Sequence, residues 1–354
     1  MTVQSNRIFA EDGRPDGAWA TPGADDFVPH PLVRPPMVQT VLSVAHPASV
    51  DVVIRTGQPV LLDGGPDETG YDERVRLLAY YTPRRGAGAA RGLVISLHGW
   101  EGCSHSVYNL VLTEALTAAG YDVLRLNLRD HGPGVHVDPY RLNRGVFLGT
   151  LVREAAFAAR QGALLAQGGP VWLMGPSMGG NFVLRMAALQ DEFPIPNLRR
   201  VVAISPAVNP GSATDRADAN PVIHFYYRRN WSRSLAAKQA CFPDLYDFSG
   251  ALRLRSLRAM TEWLVREYTS YADADEYFAA YAVGKDGLAN VRVPTTILSA
   301  ADDPVIDAHE FGALVYSDVV TVNVLSHGGH VGFVDLWPFG HRLPQLVLAE
   351  LERA

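Results

Sequence analysis

The sequence predicts an α/β protein with a mostly parallel central sheet, helices on both faces of that sheet and an inserted helical cap. Three observations lead to this fold class. Short apolar runs recur after Gly92 and alternate with segments of helical length, a rhythm that is typical of βαβ units. The runs are continuously apolar, as in strands that helices cover on both faces. One interval of about ninety residues between two such runs is far too long for an ordinary βα connection.

The apolar runs and the segments between them predict individual elements. The predicted strands of the parallel sheet are 93–97, 122–126, 171–174, 201–204, 295–298 and 320–325. The predicted helices are 107–119, 149–166, 178–189, 309–315 and 344–351. Upstream, segments 51–55 and 75–81 are rich in β-branched and aromatic residues and flank the turn-rich stretch Asp63-Gly64-Gly65-Pro66. These two segments predict antiparallel strands that lead into the sheet.

The same pattern predicts how the chain is divided. Residues 1–26 are polar with glycine and proline, which predicts a poorly ordered tail. Residues 27–205 and 291–354 contain the βα rhythm and are predicted to form one catalytic core. Residues 206–290, which interrupt the rhythm, are predicted to form the inserted helical cap.

Composition excludes several classes of function. A chain of 354 residues with 47% hydrophobic residues can bury a sizeable core, and its net charge of −6 argues against a nucleic acid partner. We see no secretory signal and no apolar run of the roughly 18 residues that span a membrane, so a cytoplasmic protein is expected. Cys103 and Cys241 lie outside any C-x-x-C spacing, so neither a disulfide framework nor a zinc site is indicated. The oligomeric state stays open.

The first chemical motif is Gly175-Pro176-Ser177-Met178-Gly179, which fits G-x-S-x-G. It follows a predicted strand and precedes a predicted helix, where a nucleophilic serine on a tight turn needs small neighbours. The start of the helix also directs unpaired N–H groups towards the serine. This context predicts that Ser177 is a nucleophile and that Gly175 and Gly179 shape the turn.

A second motif, His98-Gly99-Trp100-Glu101-Gly102, follows the predicted strand 93–97. A loop at this place can bring a backbone N–H over the nucleophile, and Gly99 allows the close approach. We therefore predict that the backbone N–H groups of Trp100 and Met178 form an oxyanion hole. His98 could serve as another base, but the loop position favours a role in holding the loop by hydrogen bonds.

The remaining catalytic groups are predicted after the last two strands. Asp302-Asp303-Pro304 follows strand 295–298, and His330 follows strand 320–325 within His327-Gly328-Gly329-His330. The chain order serine, aspartate, histidine is the order of the α/β-hydrolase fold. Asp303 is preferred over Asp302 by its spacing from the strand end, and His330 over His327 by the flexible glycines around it. Ser177, Asp303 and His330 are thus the predicted triad.

Together these segments resemble the YheT-like hydrolases and the related ABHD1/2/3-type esterases and lipases. The resemblance runs from about Phe27 to Leu346 and departs from the family at Pro176 and at Asp130-His131-Gly132. It implies hydrolysis of carboxylic esters through an acyl-serine, with no metal or organic cofactor. The segments that carry it are Met37-Val38-Gln39-Thr40, the His98 loop, Asn127-Leu128-Arg129, the Ser177 turn, Asp302-Asp303-Pro304, Gly328-Gly329-His330-Val331-Gly332-Phe333 and the aromatic and acidic stretch 268–281.

The sequence therefore predicts a carboxylic-ester hydrolase acting on small to medium acyl esters, among which lipid esters are included. An acyltransferase that uses the same acyl-serine and a ligand receptor with low turnover stay open as alternatives. The spacing of His131, His136 and Asp138 matches no metal-binding pattern and indicates a polar loop at the rim of the site. Segment 222–231 mixes aromatic residues with arginines, which favours a cap helix facing the pocket over one lying in a lipid headgroup layer.

Overall fold

The computed structural model describes residues 27–336 and 339–353. The predicted tail, residues 1–26, lies outside the described residues. The strands are β1 (Gln58–Pro66), β2 (Arg74–Thr82), β3 (Leu93–Ser96), β4 (Asp122–Leu126), β5 (Val171–Pro176), β6 (Leu198–Ile204), β7 (Thr295–Ala300), β8 (Val320–Leu325), β9 (Val334–Leu336) and β10 (Phe339–His341).

Helices occupy most of the connections between these strands. The α-helices are α1 (Pro36–Leu42), α2 (Asp51–Thr56), α3 (Val107–Ala118), α4 (Val152–Gly162), α5 (Met178–Ala188), α6 (Pro210–Ala219), α7 (Pro221–Cys241), α8 (Ser249–Arg253), α9 (Leu257–Tyr268), α10 (Ala274–Tyr281) and α11 (Leu343–Leu351). Short 3-10 helices are Ala48–Val50, Pro139–Arg141, Ala163–Ala166 and Ala308–Ala313.

The central sheet has eight strands in the order β1-β2-β4-β3-β5-β6-β7-β8. Strand β2 pairs antiparallel with β1 and with β4, whereas β4, β3, β5, β6, β7 and β8 pair in parallel. Because parallel strands all end at the same edge, the loops that follow β3, β5, β7 and β8 converge there. The predicted fold class, a mostly parallel sheet of the α/β-hydrolase type, is confirmed.

Helices cover the sheet on both faces, as the alternation along β3 illustrates. Leu93 and Ile95 pack in one apolar cluster with α4 and α5, and Val94 between them packs in a second cluster with α3 and α11. All three side chains are fully buried. Strands that bury both faces cannot alternate polar and apolar residues, which explains the continuously apolar runs in the sequence.

One predicted strand is wrong. Segment 51–55 lies in helix α2, and the first strand of the hairpin is β1, which contains the stretch Asp63-Gly64-Gly65-Pro66 as an irregular strand end. The β-branched run in α2 suggested a strand. In the fold, Val53 is buried against Leu110 and Val111 of α3, so packing of one helix face overrides the local preference.

Five helices, α6 to α10, lie between β6 and β7, within the segment 206–290 that was predicted as a cap. Helices α7 to α10 share an apolar cluster that includes Leu235, Phe248, Met260 and Phe278 together with Val146 from the loop after β4, whereas Ala217 of α6 packs in the cluster of the main core. We call α6 to α10 the inserted helices. Among the described residues, no helix has the length and apolar character needed to cross a membrane.

Candidate active site

Ser177 occupies the single position between the end of β5 and the start of α5. Its backbone has φ 54° and ψ −120°, a strained conformation for a residue with a side chain. A Cβ atom placed on Gly175 would lie 2.4 Å from the carbonyl oxygen of Gly179, and one on Gly179 would lie 2.6 Å from that of His98. Side chains at these two glycines would therefore collide with backbone, and the turn requires both.

The structure joins Ser177, His330 and Asp303 in one hydrogen-bonded chain. The His330 Nε2 atom lies 3.0 Å from Ser177 Oγ, and its Nδ1 atom lies 2.9 Å from Asp303 Oδ2. Asp303 Oδ1 accepts hydrogen bonds from the backbone N–H groups of Val305 and Ile306, at 2.8 and 2.9 Å. These bonds hold the carboxylate in place beside His330 Nδ1.

The neighbouring residues Asp302 and His327 form a separate pair. Asp302 Oδ2 lies 3.3 Å from His327 Nδ1, and Asp302 Oδ1 accepts a hydrogen bond from the Gly329 backbone N–H at 2.8 Å. Asp302 thereby ties the loop after β7 to the loop after β8. Its contacts hold the loop that carries His330, whereas those of Asp303 reach the His330 ring itself.

Helix α1 supports the His330 loop from the other side. The Gln39 side chain is fully buried and exchanges hydrogen bonds with the Val334 backbone, at 2.7 Å in both directions. Thr40 Oγ1 accepts a hydrogen bond from the His330 backbone N–H at 3.0 Å. A Cβ atom on Gly332 would lie 2.6 Å from the Gln39 carbonyl oxygen. In the sequence, this segment contributes only to the resemblance to the YheT-like hydrolases, and its contact with His330 was not predicted.

The loop after β3 passes directly over Ser177. A Cβ atom on Gly99 would lie 3.3 Å from Ser177 Cβ, so this residue marks the closest approach of the loop. The His98 Nδ1–H donates to the Gly99 carbonyl oxygen at 2.8 Å, and His98 Nε2 accepts from the Leu128 backbone N–H at 3.0 Å. Since a trans peptide directs its C=O and N–H in opposite directions, the bond to Gly99 orients the N–H of Trp100.

His98 is fully buried, and burial lowers the pKa of its imidazole to about 3. Both ring nitrogens are engaged with backbone groups, which fixes the neutral tautomer. The ring therefore holds the loop and does not contact the Ser177 hydroxyl. Trp100 and Met178, the predicted oxyanion donors, lie beside Ser177 on the wall of the same pocket.

The pocket above Ser177 encloses about 1090 Å³, part of it open to solvent. Its floor is formed by the core loops, and its roof by inserted helices α6, α7, α9 and α10. The Trp100 side chain joins the two, because it stacks on Tyr227 at 4.9 Å and meets Trp231 edge-on at 5.2 Å. Both partners belong to α7, so the aromatic segment 222–231 contributes to the pocket roof.

Several polar residues of the pocket wall were not predicted from sequence. The Tyr140 hydroxyl donates to Ser234 Oγ at 3.0 Å, and Ser234 Oγ donates to Glu101 Oε2 at 2.6 Å. Lys238 Nζ lies 2.7 Å from Asp130 Oδ1, and both side chains are buried. Burial raises the pKa of Glu101 to about 7. A glutamate next to the predicted oxyanion donor and a lysine in an apolar segment were the available signals.

His131, His136 and Asp138, which were predicted to lie on a polar loop at the rim of the site, each have different surroundings in the structure. The Tyr80 hydroxyl and His136 Nδ1 are 2.9 Å apart, and the Asp138 side chain accepts from the Tyr140 backbone N–H at 3.1 Å. His131 is buried in the pocket wall. Within residues 27–336 and 339–353, no group of three metal-ligating side chains comes together.

A family model described as serine aminopeptidase, S33 (Hydrolase_4) matches residues 88–336. The match covers well over half of the chain and contains the Ser177 turn, Asp303 and His330. The chain therefore belongs to this family of α/β hydrolases. Its membership agrees with the sheet order and with the position of Ser177 between β5 and α5.

A curated relative in Synechocystis sp. (strain PCC 6803), named "Putative esterase slr0264", is 23% identical over 234 residues. The match covers 60% of this chain, and the chain spans only 62% of the length of that relative. Two solved structures share the fold. A 2,6-dihydroxy-pseudo-oxynicotine hydrolase has a TM-score of 0.53 at 14% identity, covering 89% of this chain and 70% of its own. A bacterial membrane phospholipase A has a TM-score of 0.51 at 17% identity, and the match covers 89% of this chain and 92% of the phospholipase chain.

Proposed function

We propose that the protein is a serine hydrolase that cleaves carboxylic esters through an acyl-serine intermediate. The observation that carries this proposal is the chain of hydrogen bonds from Ser177 Oγ through the His330 imidazole to the Asp303 carboxylate. A serine hydroxyl is a weak nucleophile unless a base is within hydrogen-bonding distance, and a base needs a group that fixes its tautomer. All three groups are buried at one edge of the sheet.

In the proposed reaction, Ser177 Oγ attacks the ester carbonyl carbon while His330 Nε2 takes the hydroxyl proton. The carbonyl oxygen becomes an oxyanion that accepts from the backbone N–H groups of Trp100 and Met178. His330 then returns the proton to the alkoxide, which leaves as an alcohol. Water then attacks the acyl-serine while His330 takes one of its protons. When the resulting intermediate collapses, His330 returns that proton to Ser177 Oγ, and the acid is released. Asp303 stabilises the imidazolium in both halves.

Three further facts support an ester as the substrate. The chain belongs to a hydrolase family, and its curated relative is named as an esterase. The pocket is lined mostly by apolar and aromatic side chains, among them Phe147, Leu235 and Phe278, which suits the acyl part of a small or medium ester. We also propose that the chain belongs to the YheT-like and ABHD-type branch of the family, because it contains the motifs that resemble that branch.

The test is covalent labelling with a fluorophosphonate probe, followed by peptide mapping. We expect one adduct at Ser177 in the wild-type protein and no adduct in the Ser177→Ala variant. Before labelling, the wild-type protein should hydrolyse p-nitrophenyl esters. Ser205→Ala is the matched control, because Ser205 also has a positive φ of 42° after a strand of the same sheet. An adduct at another residue contradicts the assignment. Labelling without turnover of any ester favours a receptor instead.

A further inference from the structure

The pocket wall has an apolar part and a polar part. Inserted helices α9 and α10 contribute Leu264, Phe278 and other apolar or aromatic side chains. The wall also contains the polar side chains of Glu101, Asp130 and His131, together with Ser234 and Lys238 of α7. A pocket with this division fits a molecule that has an apolar group and a polar group.

Most polar groups of this wall already have protein partners. Lys238 Nζ binds Asp130 Oδ1 and the Asn143 carbonyl oxygen, each at 2.7 Å, and Asp130 Oδ2 accepts from the Phe147 backbone N–H at 2.8 Å. The Tyr140 hydroxyl donates to Ser234, which donates to Glu101. These groups therefore do not need a ligand to satisfy them.

His131 differs from these residues. Its side chain lines the pocket and the residue is only 8% exposed. The Nδ1–H donates to the Arg129 carbonyl oxygen at 2.6 Å, whereas the buried Nε2 atom has no hydrogen-bond partner among the residues that the structure describes. Burial lowers the pKa of His131 to about 4, so the ring is neutral near pH 7. With the proton on Nδ1, Nε2 is an acceptor.

We propose that His131 is a specificity-determining residue: its Nε2 atom accepts a hydrogen bond from a hydroxyl group of the substrate, so the pocket selects esters that combine an apolar group with a hydroxyl group. A buried acceptor without a partner destabilises the empty site, and a donor brought by the substrate removes that cost. The inference rests on the proposed esterase function and adds the chemical class of the ester.

The charges around His131 favour a neutral donor over a cation. Asp130 is neutralised by Lys238 at 2.7 Å. Burial raises the pKa of Glu101 to about 7, so a large fraction of that carboxyl group is uncharged at neutral pH. The ring itself is packed between His98 and Phe147, with ring centroids 4.8 and 4.9 Å away. A hydroxyl group supplies the required donor without introducing a charge into this apolar contact.

The test compares esters that differ only by a hydroxyl group in place of a methyl group. One pair is 2-hydroxyethyl butanoate and propyl butanoate, which places the hydroxyl on the alcohol side. The other is ethyl 6-hydroxyhexanoate and ethyl heptanoate, which places it on the acyl side. We expect the wild-type kcat/KM to favour the hydroxyl ester by about tenfold in at least one pair, as expected for one hydrogen bond to a buried acceptor.

His131→Phe removes the acceptor and retains a ring between His98 and Phe147. We expect the preference to fall to about one, whereas His46→Phe, a matched exchange at an exposed histidine, should keep the wild-type preference. The ratio within a pair cancels any general loss of activity, and the comparison with wild type cancels differences in intrinsic ester reactivity. His131→Gln, whose amide oxygen can accept, should retain part of the preference and guards against a folding defect in the phenylalanine variant.

The outcomes separate this inference from the proposed function. Fluorophosphonate labelling of Ser177 is measured on every sample. Normal labelling and turnover with no wild-type preference for either hydroxyl ester, or with the same preference in His131→Phe, would overturn the role of His131 alone. If wild-type protein is neither labelled nor active on any of these esters, the esterase function fails, and this inference fails with it.

Discussion

Two aspartate–histidine pairs lie side by side on the loops that follow β7 and β8. In one pair, His330 Nδ1 and Asp303 Oδ2 are 2.9 Å apart, and the side chains are 9% and 0% exposed. In the other, His327 Nδ1 and Asp302 Oδ2 are 3.3 Å apart, and the side chains are 30% and 16% exposed. The residue types are identical, the aspartates are adjacent in sequence and the histidines belong to one short loop, yet the surroundings differ.

The difference lies in what the far side of each pair contacts. His330 Nε2 reaches the Ser177 hydroxyl at 3.0 Å, and Asp303 is held by two backbone N–H groups. The Asp302 carboxylate instead binds the Gly329 N–H and so connects two loops. An ion pair that forms during reaction is stabilised far more in a buried site than in a solvated one. The comparison teaches that burial and the third partner distinguish the pair that we propose to be catalytic from the pair that connects two loops.

The largest expected difference between the pairs concerns the histidines. His330→Ala removes the proposed base and should lower kcat by about 10⁶, the scale found when a triad base is deleted. His327→Ala removes a partly exposed ring and should lower kcat less than about tenfold. Steady-state kinetics on one p-nitrophenyl ester measures both. Comparable losses in two folded variants would break the distinction between the pairs.

The aspartates should differ by a smaller amount. Asp303→Asn places an amide beside His330 Nδ1 and should lower kcat by about 10⁴, because the wrong tautomer is favoured. Asp302→Asn keeps an oxygen that can accept from Gly329 N–H, so we expect a loss below about tenfold. Single-turnover kinetics of acylation are the measurement. A greater loss for Asp302→Asn would make Asp302 the orienting acid.

A third prediction concerns the part of the site that neither pair supplies. Trp100→Pro removes the proposed backbone donor and should lower kcat by about 10²–10³. Trp100→Ala keeps the N–H and loses the contacts with Tyr227 and Trp231, so it should act mainly on KM. Circular dichroism and thermal melting establish that both variants are folded. Equal kcat values would remove Trp100 from the oxyanion hole.

The smallest expected effect concerns the hydrogen bond by which helix α1 holds the His330 loop. Thr40 Oγ1 accepts from the His330 backbone N–H at 3.0 Å and donates to the Pro36 carbonyl oxygen at 2.8 Å, and Thr40→Val deletes both bonds while keeping the shape. We expect a loss of about 1 kcal/mol in stability and of about three- to tenfold in kcat. Ser43→Ala, on the same helix end, is the control because its hydroxyl donates to the Thr40 carbonyl oxygen. Unchanged melting and kcat in Thr40→Val would show that the Thr40 hydroxyl does not help to hold the His330 loop.

Much of the fold was predictable because its signals are local. The apolar runs of β3 and β5 begin where the predicted segments 93–97 and 171–174 begin, since a strand buried on both faces leaves a continuous run in sequence. Helix α2 was not predictable, because the burial of Val53 depends on its contacts with Leu110 and Val111 of α3, which lie far from it along the chain. A local β preference carries no information about such a partner.

The sequence by itself determined the order of the parallel strands along the chain, the tight turn around Ser177 and the position of the aspartate and histidine loops after β7 and β8, because glycines, strand ends and chain order are local properties. Only the tertiary structure decided which groups meet. The Gln39 side chain bonds to Val334, 295 positions along the chain, and the Nε2 atom of His131 is left buried without a partner among the described residues. The physical reason is that hydrogen bonding and burial depend on distances in space, which residue spacing along the chain does not encode.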